Sequence, residues 1–372
     1  MNLSYWEHKS WLSNIDHTII GSGIVGLNTA LRLREKFPKT NILILERGFL
    51  PNGASTKNAG FACFGSLSEM LDDLNTHSEE EVVQLVQKRV DGLALLRKTL
   101  GDGTIDFNRW GGYELFTPED KALLEECESK IEYVNKLLFP IFKENVFSTG
   151  PNKFNFKKIK ETVIFNKFEG QINTGKMMEA LLKKAANTGI KILNNISVEE
   201  FSEGNTSVKI KTDQFEFTTK KLLIATNGFA VQLGLESVKP ARAQVLITKP
   251  IENLQIKGTF HLHKGYYYFR NIDKRILLGG GRNLDLKTEE TTTLGETALI
   301  QDKLEELLKE TILPNMDFEI DRRWSGIMGV GTQKKPIVKQ LSDNTFCGVR
   351  LGGMGVAIGS LVGRELADLI TH

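Results

Sequence analysis

The segments His17-Thr-Ile-Ile20, Gly21-Ser-Gly23-Ile-Val-Gly26 and Asn41-Ile-Leu-Ile-Leu45-Glu46 decide the fold of this chain. The first is an apolar strand, the second is a glycine turn that opens a helix, and the third is a strand with consecutive apolar residues. Glycines at this spacing permit a tight turn, close approach of a phosphate, and close packing of helix on strand. Together the segments predict a βαβ unit that binds a dinucleotide, with its pyrophosphate at the helix N-terminus.

The acid at the end of the second strand supports this interpretation. Glu46 follows Gly26 by twenty residues (46 − 26 = 20), where a carboxylate accepts the hydroxyls of an adenosine ribose. The next loop, Pro51-Asn-Gly-Ala-Ser-Thr-Lys-Asn-Ala-Gly60, consists mostly of small and polar residues. Such a loop suits contact between its backbone and a ligand, so we expect it to border the same site.

Composition is that of an ordinary globular protein. Of 372 residues, 40% are hydrophobic and 25% charged, and the net charge is +2 from 48 basic and 46 acidic residues. This balance gives no electrostatic reason to expect nucleic acid or an anionic membrane as a partner. The N-terminus lacks the apolar core of a signal peptide, and no apolar run approaches the ~20 residues that span a bilayer. We expect a cytoplasmic protein without a transmembrane segment.

The cysteines and histidines predict neither a disulfide framework nor a metal site. Cys63, Cys127 and Cys347 are odd in number and widely spaced, which fits a reducing cytoplasm. His261 and His263 alternate on a predicted strand and would share a face. Two histidines without a third ligand make a poor zinc site, so we interpret them as structural or pocket-lining residues.

Sequence patterns in the rest of the chain predict helices and strands, some of which rejoin the sheet of the first βαβ unit. Capping motifs indicate helices that begin after Ser78 and Thr117. A further helix is predicted over 175–186, and a hairpin over 207–218. The apolar run at 222–228 should bring the chain back to the nucleotide sheet. Two domains that interleave in sequence are therefore expected.

Four separated segments resemble the D-amino-acid-oxidase-like family of FAD-dependent oxidoreductases, which includes glycine, sarcosine and gamma-glutamylputrescine oxidases. They are Ile20–Gly26 with Glu46, Gly53–Gly60, Ala225–Gly228 and Arg350–Gly363. The resemblance spans almost the whole chain. Its last segment is the most discriminating, because an NAD-dependent dehydrogenase has no need for a second glycine loop that enters a C-terminal helix.

The resemblance implies a two-domain fold of the α/β (α+β) class. A Rossmann-like FAD-binding domain would comprise residues 1–70, 166–235 and 325–372. A substrate-binding domain built on a mixed sheet would comprise residues 71–165 and 236–324. The FAD is expected to bind without a covalent link, since the cysteine nearest the region where sarcosine oxidase carries its flavin link is Cys347, about twenty residues too late.

The resemblance also assigns residues to the cofactor. At the C-terminal loop, a helix N-terminus aimed at the flavin would stabilise the negative charge of the reduced ring. The expected FAD-binding residues are Gly21, Ser22, Gly23, Ile24, Val25, Gly26, Glu46, Arg47, Ala54, Ser55, Thr56, Asn58, Ala59, Gly60, Val198, Ala225, Thr226, Asn227, Gly228, Gly326, Arg350, Gly352, Gly353, Met354, Gly355 and Val356.

Three residues are candidates for a role in the reaction. Tyr268 lies twelve residues before Gly280 (280 − 268 = 12), similar in placement to a substrate-contacting tyrosine of the family. Arg350 could add positive charge beside the flavin or be paired or solvated elsewhere. Lys57 could assist oxygen reduction or be solvated. No side-chain base is required, because the family is thought to transfer a hydride from the carbon bearing the amine to flavin N5.

The candidates for substrate binding are Tyr266, Arg270, Arg282 and Met328. Alternation would place Tyr266 on the same face as Tyr268, facing either the pocket or an interdomain core. Either arginine could clamp a carboxylate or lie at the surface. Met328 stands where the family's amino acid oxidases carry an arginine, which argues against their usual carboxylate clamp.

The predicted function is FAD-dependent oxidation of the C–N bond of a small amine or amino acid. Oxygen, a quinone or a carrier protein could then reoxidise the flavin. One alternative is a flavoenzyme that acts on a modified tRNA base, which would require a basic stripe. The other is a flavin-binding protein without amine turnover, in which Met328 marks lost catalysis.

Overall fold

The computed structural model describes residues 3–371, and a dinucleotide-type sheet forms its first layer. The strands are β1 (Ile15–Ile20), β2 (Ile42–Leu45), β3 (Phe61–Ala62), β4 (Gly112–Leu115), β5 (Phe147–Pro151), β6 (Thr162–Asn166), β7 (Gly170–Gln171), β8 (Lys191–Leu193), β9 (Val198–Glu203), β10 (Val208–Thr212), β11 (Glu216–Ile224), β12 (Lys239–Thr248), β13 (Thr259–Leu262), β14 (Tyr267–Ile272), β15 (Arg275–Gly280), β16 (Ile320–Val330), β17 (Ile337–Gln340) and β18 (Thr345–Val349).

The α-helices are α1 (Tyr5–Glu7), α2 (Ile24–Lys36), α3 (Ala54–Lys57), α4 (Leu67–Leu74), α5 (Glu79–Leu100), α6 (Lys121–Phe142), α7 (Thr174–Asn187), α8 (Ala298–Leu307) and α9 (Gly355–Asp368). Short 3₁₀ turns occupy Pro118–Asp120, Asn227–Leu233 and Arg282–Leu284, and π turns occupy His8–Leu12 and Leu308–Ile312. Among residues 3–371, none of these helices combines the length and the apolar character needed to cross a bilayer.

The first sheet has the order β17-β18-β11-β1-β2-β8. Strands β18, β11, β1, β2 and β8 are parallel, whereas β17 is an antiparallel edge. Strands β9 and β10 extend from β11 as an antiparallel ribbon. The apolar run at 222–228 therefore does return the chain to the nucleotide sheet, beside β1, as the sequence predicts.

Strand β2 consists of consecutive apolar residues because both of its faces pack against a hydrophobic core. Ile42 and Ile44 pack into a core shared with α2, α7 and α9. Leu43 and Leu45 point to the opposite core, beneath the β9–β10 ribbon. All four residues are at most 1% exposed, which is the burial expected of a central parallel strand.

The second sheet has the order β16-β12-β15-β14-β13-β4-β6-β5 and forms the other layer. Its neighbours are antiparallel except β13 and β4. A mainly apolar core with several stacked aromatic rings lies against it, in which the rings of Phe260 and Phe269 stack with centroids 4.5 Å apart. Helix α8 contributes Ile300 and Leu304 to this core.

The capping predictions are confirmed. Ser78 caps α5 in a reciprocal capping box with Glu81, and Thr117 begins the turn that leads into α6. The prediction that His263 shares a strand face with His261 is wrong. The strand ends at Leu262, and His263 has φ 48° in the turn that follows.

The domain boundaries remain a prediction. Helix α5 falls in the segment that the sequence assigns to the substrate domain, yet it packs against α9 and contributes Leu85 and Leu96 to the core of the first sheet. Strand β16 crosses the expected boundary at residue 325 and pairs throughout with β12 of the second sheet. The two layers therefore share elements near these boundaries.

Candidate active site

A cavity of about 810 Å³ lies where the two layers meet. Its first wall is formed by turns that follow the carboxyl ends of parallel strands, at Gly21, Glu46, Ala225 and Arg350. Ligands of open α/β sheets bind at this edge, because the loops and helix N-termini converge there. Residues of β12, β14 and β16 form the facing wall.

The glycine turn after β1 has the shape that its sequence predicts. Gly21 has φ +100°, and a Cβ there would lie 2.9 Å from the carbonyl oxygen of Ala225. A Cβ at Gly26 would lie 1.9 Å from the carbonyl oxygen of Gly21. Gly26 therefore supports the turn from behind and does not line the cavity, whereas Gly23 borders it at the start of α2.

The Glu46 carboxylate is held in place by the chain itself. Its Oε2 accepts hydrogen bonds from the backbone N–H and the hydroxyl of Ser22 at 3.1 and 2.7 Å. Its Oε1 accepts one from the Gly48 N–H at 3.0 Å. Glu46 lines the cavity, but Ser22 is fully buried behind it. These hydrogen bonds fix the orientation of the carboxylate, and the structure assigns Ser22 a supporting position. Contact of Glu46 with ribose hydroxyls stays a prediction.

Asn227 joins two of the predicted loops. It adopts φ 47°, and its side-chain oxygen accepts a hydrogen bond from the Leu351 N–H at 3.1 Å. This bond ties the turn after β11 to the glycine loop that precedes α9. Arg350, also in the left-handed region at φ 63°, donates from Nε and Nη2 to the Lys335 carbonyl at 3.1 and 2.9 Å. Burial lowers the pKa of its guanidinium.

Contacts with strand β16 of the second layer hold Lys57 in position. Its carbonyl accepts a hydrogen bond from the Trp324 indole at 2.9 Å, and a Cβ at Gly326 would lie 3.0 Å from the Lys57 Cβ. This contact fixes α3 against β16. The Lys57 side chain borders the cavity.

Most of the residues predicted for cofactor and substrate line this one cavity. They are Gly21, Gly23, Ile24, Val25, Glu46, Arg47, Ala54, Ser55, Lys57, Asn58, Ala59, Gly60, Val198, Ala225, Thr226, Asn227, Tyr266, Tyr268, Arg282, Gly326, Met328, Arg350, Gly352, Gly353, Met354, Gly355 and Val356.

Five predicted residues lie outside the lining, and two of them are described above, Ser22 and Gly26. Thr56 donates its hydroxyl to the Pro51 carbonyl at 2.7 Å. Gly228 gives room to β16, because a Cβ there would lie 2.4 Å from the Met328 carbonyl oxygen. Arg270 is 2% exposed and lies behind the loop at Gly60. The structure thus gives Arg270 no contact with the cavity.

The tyrosine alternation is confirmed. Tyr266 and Tyr268 line the cavity, while Tyr267 is 3% exposed and packs into the core of the second sheet. Burial raises the pKa of Tyr268 to about 12, so its hydroxyl stays protonated near neutral pH. Gly279 on the neighbouring strand leaves space for the ring, since a Cβ there would lie 2.7 Å from it.

His261 and Glu169 form an ion pair in the cavity wall that the sequence did not predict. His261 Nε2 lies 2.5 Å from Glu169 Oε1, and both side chains are buried. Burial alone would lower the pKa of His261, but the charge and hydrogen bond of Glu169, with more distant acids, raise it to about 9. His261 therefore carries a positive charge near neutral pH.

Arg89 is another cavity residue that sequence reasoning missed. It extends from α5, is 5% exposed and lines the cavity. A signal was present, because Arg89 follows Val82 by seven residues and Val86 by three, on the stripe that faces the core. An arginine at such a position indicates a buried guanidinium.

A family model of FAD-dependent oxidoreductases, named DAO, matches residues 16–369. The chain belongs to this family. Its glycine turn, Glu46 and C-terminal glycine loop fit an FAD, since each leaves space or a hydrogen-bonding group at the cavity. These three features come from distant parts of the chain and converge on the same cavity.

Curated relatives of this family are distant in sequence but similar in length. A probable oxidoreductase OrdL of Haemophilus influenzae is 20% identical, over 100% of this chain and 90% of the relative. The gamma-glutamylputrescine oxidoreductase of Escherichia coli is 23% identical, over 95% of this chain and 83% of the relative. The similarity therefore extends over the whole flavoenzyme and is not limited to the nucleotide-binding unit.

Solved structures show the same fold. The glycine oxidase of Geobacillus kaustophilus superposes with a TM-score of 0.76 at 19% identity, covering 95% of this chain and 94% of its own. The L-proline dehydrogenase of P. horikoshii superposes with a TM-score of 0.75 at 19% identity, and the match covers 96% of this chain and 93% of that protein. The two-layer FAD-dependent oxidoreductase fold predicted from sequence is thus confirmed.

Proposed function

We propose that this FAD-dependent oxidoreductase oxidises the C–N bond of a small amine or amino acid. The observation that carries the proposal is that one cavity joins the dinucleotide cradle at Gly21–Gly26 to a wall containing Tyr268 and His261. Three of the relatives are named for glycine, proline or gamma-glutamylputrescine as substrate. A compact amine between cofactor and aromatic wall fits this arrangement.

The bound FAD would supply a two-electron acceptor for the hydrogen that leaves carbon as a hydride. The nitrogen lone pair would then form the C=N bond of an imine, which water hydrolyses to a carbonyl compound and an amine. The chain's own contribution is positioning. Tyr268 offers a protonated hydroxyl, and its ring packs edge-to-face against Phe61 with centroids 5.5 Å apart, which helps to hold the tyrosine in position.

A non-covalent FAD is part of this proposal. Cys347 is buried within β18 and does not line the cavity. Cys63 does line it, but burial raises the pKa of its thiol well above the ordinary value. A protonated thiol is a poor nucleophile, so neither cysteine favours a flavin link. Acid precipitation should release the flavin into the supernatant, and a yellow pellet would contradict this.

A cytoplasmic location is also proposed. All three cysteines are free and buried, which suits a reducing compartment. Two of the cavity lysines give no support to the tRNA alternative, because Lys264 and Lys334 are paired with Asp72 and Asp73 and are not free to form a basic stripe for a phosphate backbone.

Anaerobic visible absorbance tests the function. The purified protein would be mixed with glycine, sarcosine, D-amino acids, proline or polyamine derivatives while the oxidised-flavin band is followed. We expect one substrate class to bleach it. Retained flavin that no amine bleaches would favour the alternative without turnover. Readmitting air afterwards distinguishes an oxidase, which regains colour rapidly, from a dehydrogenase that needs a quinone or carrier.

A further inference from the structure

Arg89 is a buried cation without a counterion in direct contact. Its Nη1 donates to the Phe64 carbonyl at 2.7 Å. Its Nε is buried without a hydrogen-bond partner, and Nη2 makes no hydrogen bond to any residue in the described range 3–371. Burial lowers the pKa of this guanidinium. Arginine side chains nevertheless keep their charge in proteins. A buried charge left in this state is costly unless a ligand completes its hydrogen bonds.

The nearest acids are engaged elsewhere. Glu69 accepts a hydrogen bond from the Ser66 N–H at 2.9 Å in the capping box of α4. Asp73 forms an ion pair with Lys334. Within residues 3–371, no carboxylate comes within ion-pair distance of Arg89. The charges of Glu69 and Asp73 offset part of its burial, but Nη2 of the guanidinium stays without a partner.

Arg89 lies close to the glycine loop that precedes α9. A Cβ at Gly65 would be 3.5 Å from Arg89 Nη1. Cys63, two residues before Gly65, contacts Met354 of the glycine loop with its sulfur 3.7 Å from the methionine sulfur. Arg89, Cys63, Gly65 and Met354 all line the same cavity. The guanidinium therefore borders the region where a substrate would meet the cofactor.

We propose that Arg89 binds the carboxylate of the substrate, so that this enzyme acts on amino acids rather than on amines without a carboxylate. The proposal rests on the proposed C–N oxidation. Met328 supplies no charge at the position expected for a clamp, and Arg270 lies outside the cavity. Arg89 reaches the cavity from helix α5 instead. Its Nη2 has no partner among residues 3–371 and, unlike Nε, is not fully buried, so Nη2 is the nitrogen that donates to a carboxylate oxygen.

Binding without turnover provides the first test. Acetate, propionate and benzoate carry the carboxylate but no oxidisable amine, and their binding would be followed as a perturbation of the flavin spectrum of the holoenzyme. We expect saturable binding that weakens about 100-fold in Arg89→Gln and less in Arg89→Lys. Lys264→Gln is the matched control, because this cavity lysine is half exposed and paired with Asp72. Wild-type affinity in Arg89→Gln would overturn the proposal.

A second test needs no variant and separates this proposal from the proposed function. Anaerobic bleaching by alanine would be compared with bleaching by ethylamine, which lacks only the carboxylate. We expect alanine to be preferred by about 100-fold in reduction rate at low substrate concentration. Equal rates would reject the role of Arg89 while leaving C–N oxidation intact. If Arg89→Gln lost its flavin or its fold, this comparison and Arg89→Lys would still decide the question.

Discussion

The imidazole of His261 and the carboxylate of Glu169 lie 2.5 Å apart in the cavity wall, and Glu169 also accepts a hydrogen bond from Thr259 at 2.9 Å. The pair stands on β13 and on the loop before β7, so it connects two segments of the second layer. Its charge separation is shielded from water by burial. Removing one partner would leave the other as an uncompensated buried group.

This pair should make stability depend on pH. Its contribution is fully present below the ordinary histidine pKa of 6.5 and is lost as the pH rises through about 9. The unfolding free energy of the wild type, minus that of His261→Gln, should fall by about 3 kcal/mol between pH 6 and 9.5. Urea unfolding at each pH measures it, with the exposed His8→Gln as control. A difference independent of pH would show that the pair is not charged.

The stability that His17 contributes should depend on pH in the opposite direction. Burial lowers its pKa to about 4, and its Nδ1 is buried without a partner. Neutral His17 therefore stabilises the fold above pH 6.5, and this stability is lost as the pH falls through about 4. Between pH 6.5 and 4, we expect the unfolding free energy of the wild type to fall by about 3 kcal/mol more than that of His17→Phe. Acid titration of fluorescence or circular dichroism would detect it, and identical acid midpoints would contradict it.

Gly26→Ala should damage the cofactor site from behind. Its new Cβ would meet the Gly21 carbonyl oxygen at 1.9 Å, so either the turn or α2 must move. We expect a loss of about 1–3 kcal/mol in unfolding free energy and of most bound flavin. The ratio of flavin to protein absorbance measures the second effect. Gly103→Ala, where a Cβ meets nothing within 4 Å, should retain both.

Gly279→Ala should disturb Tyr268 without changing the tyrosine. The added Cβ would lie 2.7 Å from the ring, so the ring must shift away from its position against Phe61. Flavin reduction by the preferred substrate is expected to slow by about tenfold or more, since small displacements near reacting atoms are costly. Stopped-flow reduction provides the measurement. Gly150→Ala, in β5 of the same sheet, is the control, and its flavin should be reduced at the wild-type rate.

The first βαβ unit could be predicted because its determinants are local. The glycine spacing, the doubly apolar strand and the acid after it are all contained in residues 17–46. The missing counterion of Arg89 and the His261–Glu169 pair could not be predicted in the same way, because both depend on how distant segments pack together. Glu169 and His261 are 92 residues apart in sequence.

Two errors have physical reasons. The prediction that His261 and His263 share a face required a strand that continues through residue 263. Instead, the turn after Leu262 reverses the chain into β14. Arg270 was a candidate for the substrate because it is one of the cations nearest the tyrosine strand, with a surface position as the alternative. Alternation along that strand fixes the face of the sheet but not how far along that face the cavity extends, and Gly60 covers Arg270 instead.

The position of β18 has a consequence for how the molecule is made. This strand lies between β17 and β11 in the first sheet, yet it is the last strand in the chain. A growing polypeptide would therefore hold β1, β2 and β11 while residues 222–224 of β11 lack their partner on the side away from β1 until residues 345–349 arrive, and α9 would follow later still. Such late closure leaves apolar edges exposed during synthesis, so shortening the C-terminus should harm solubility before it harms the catalytic residues.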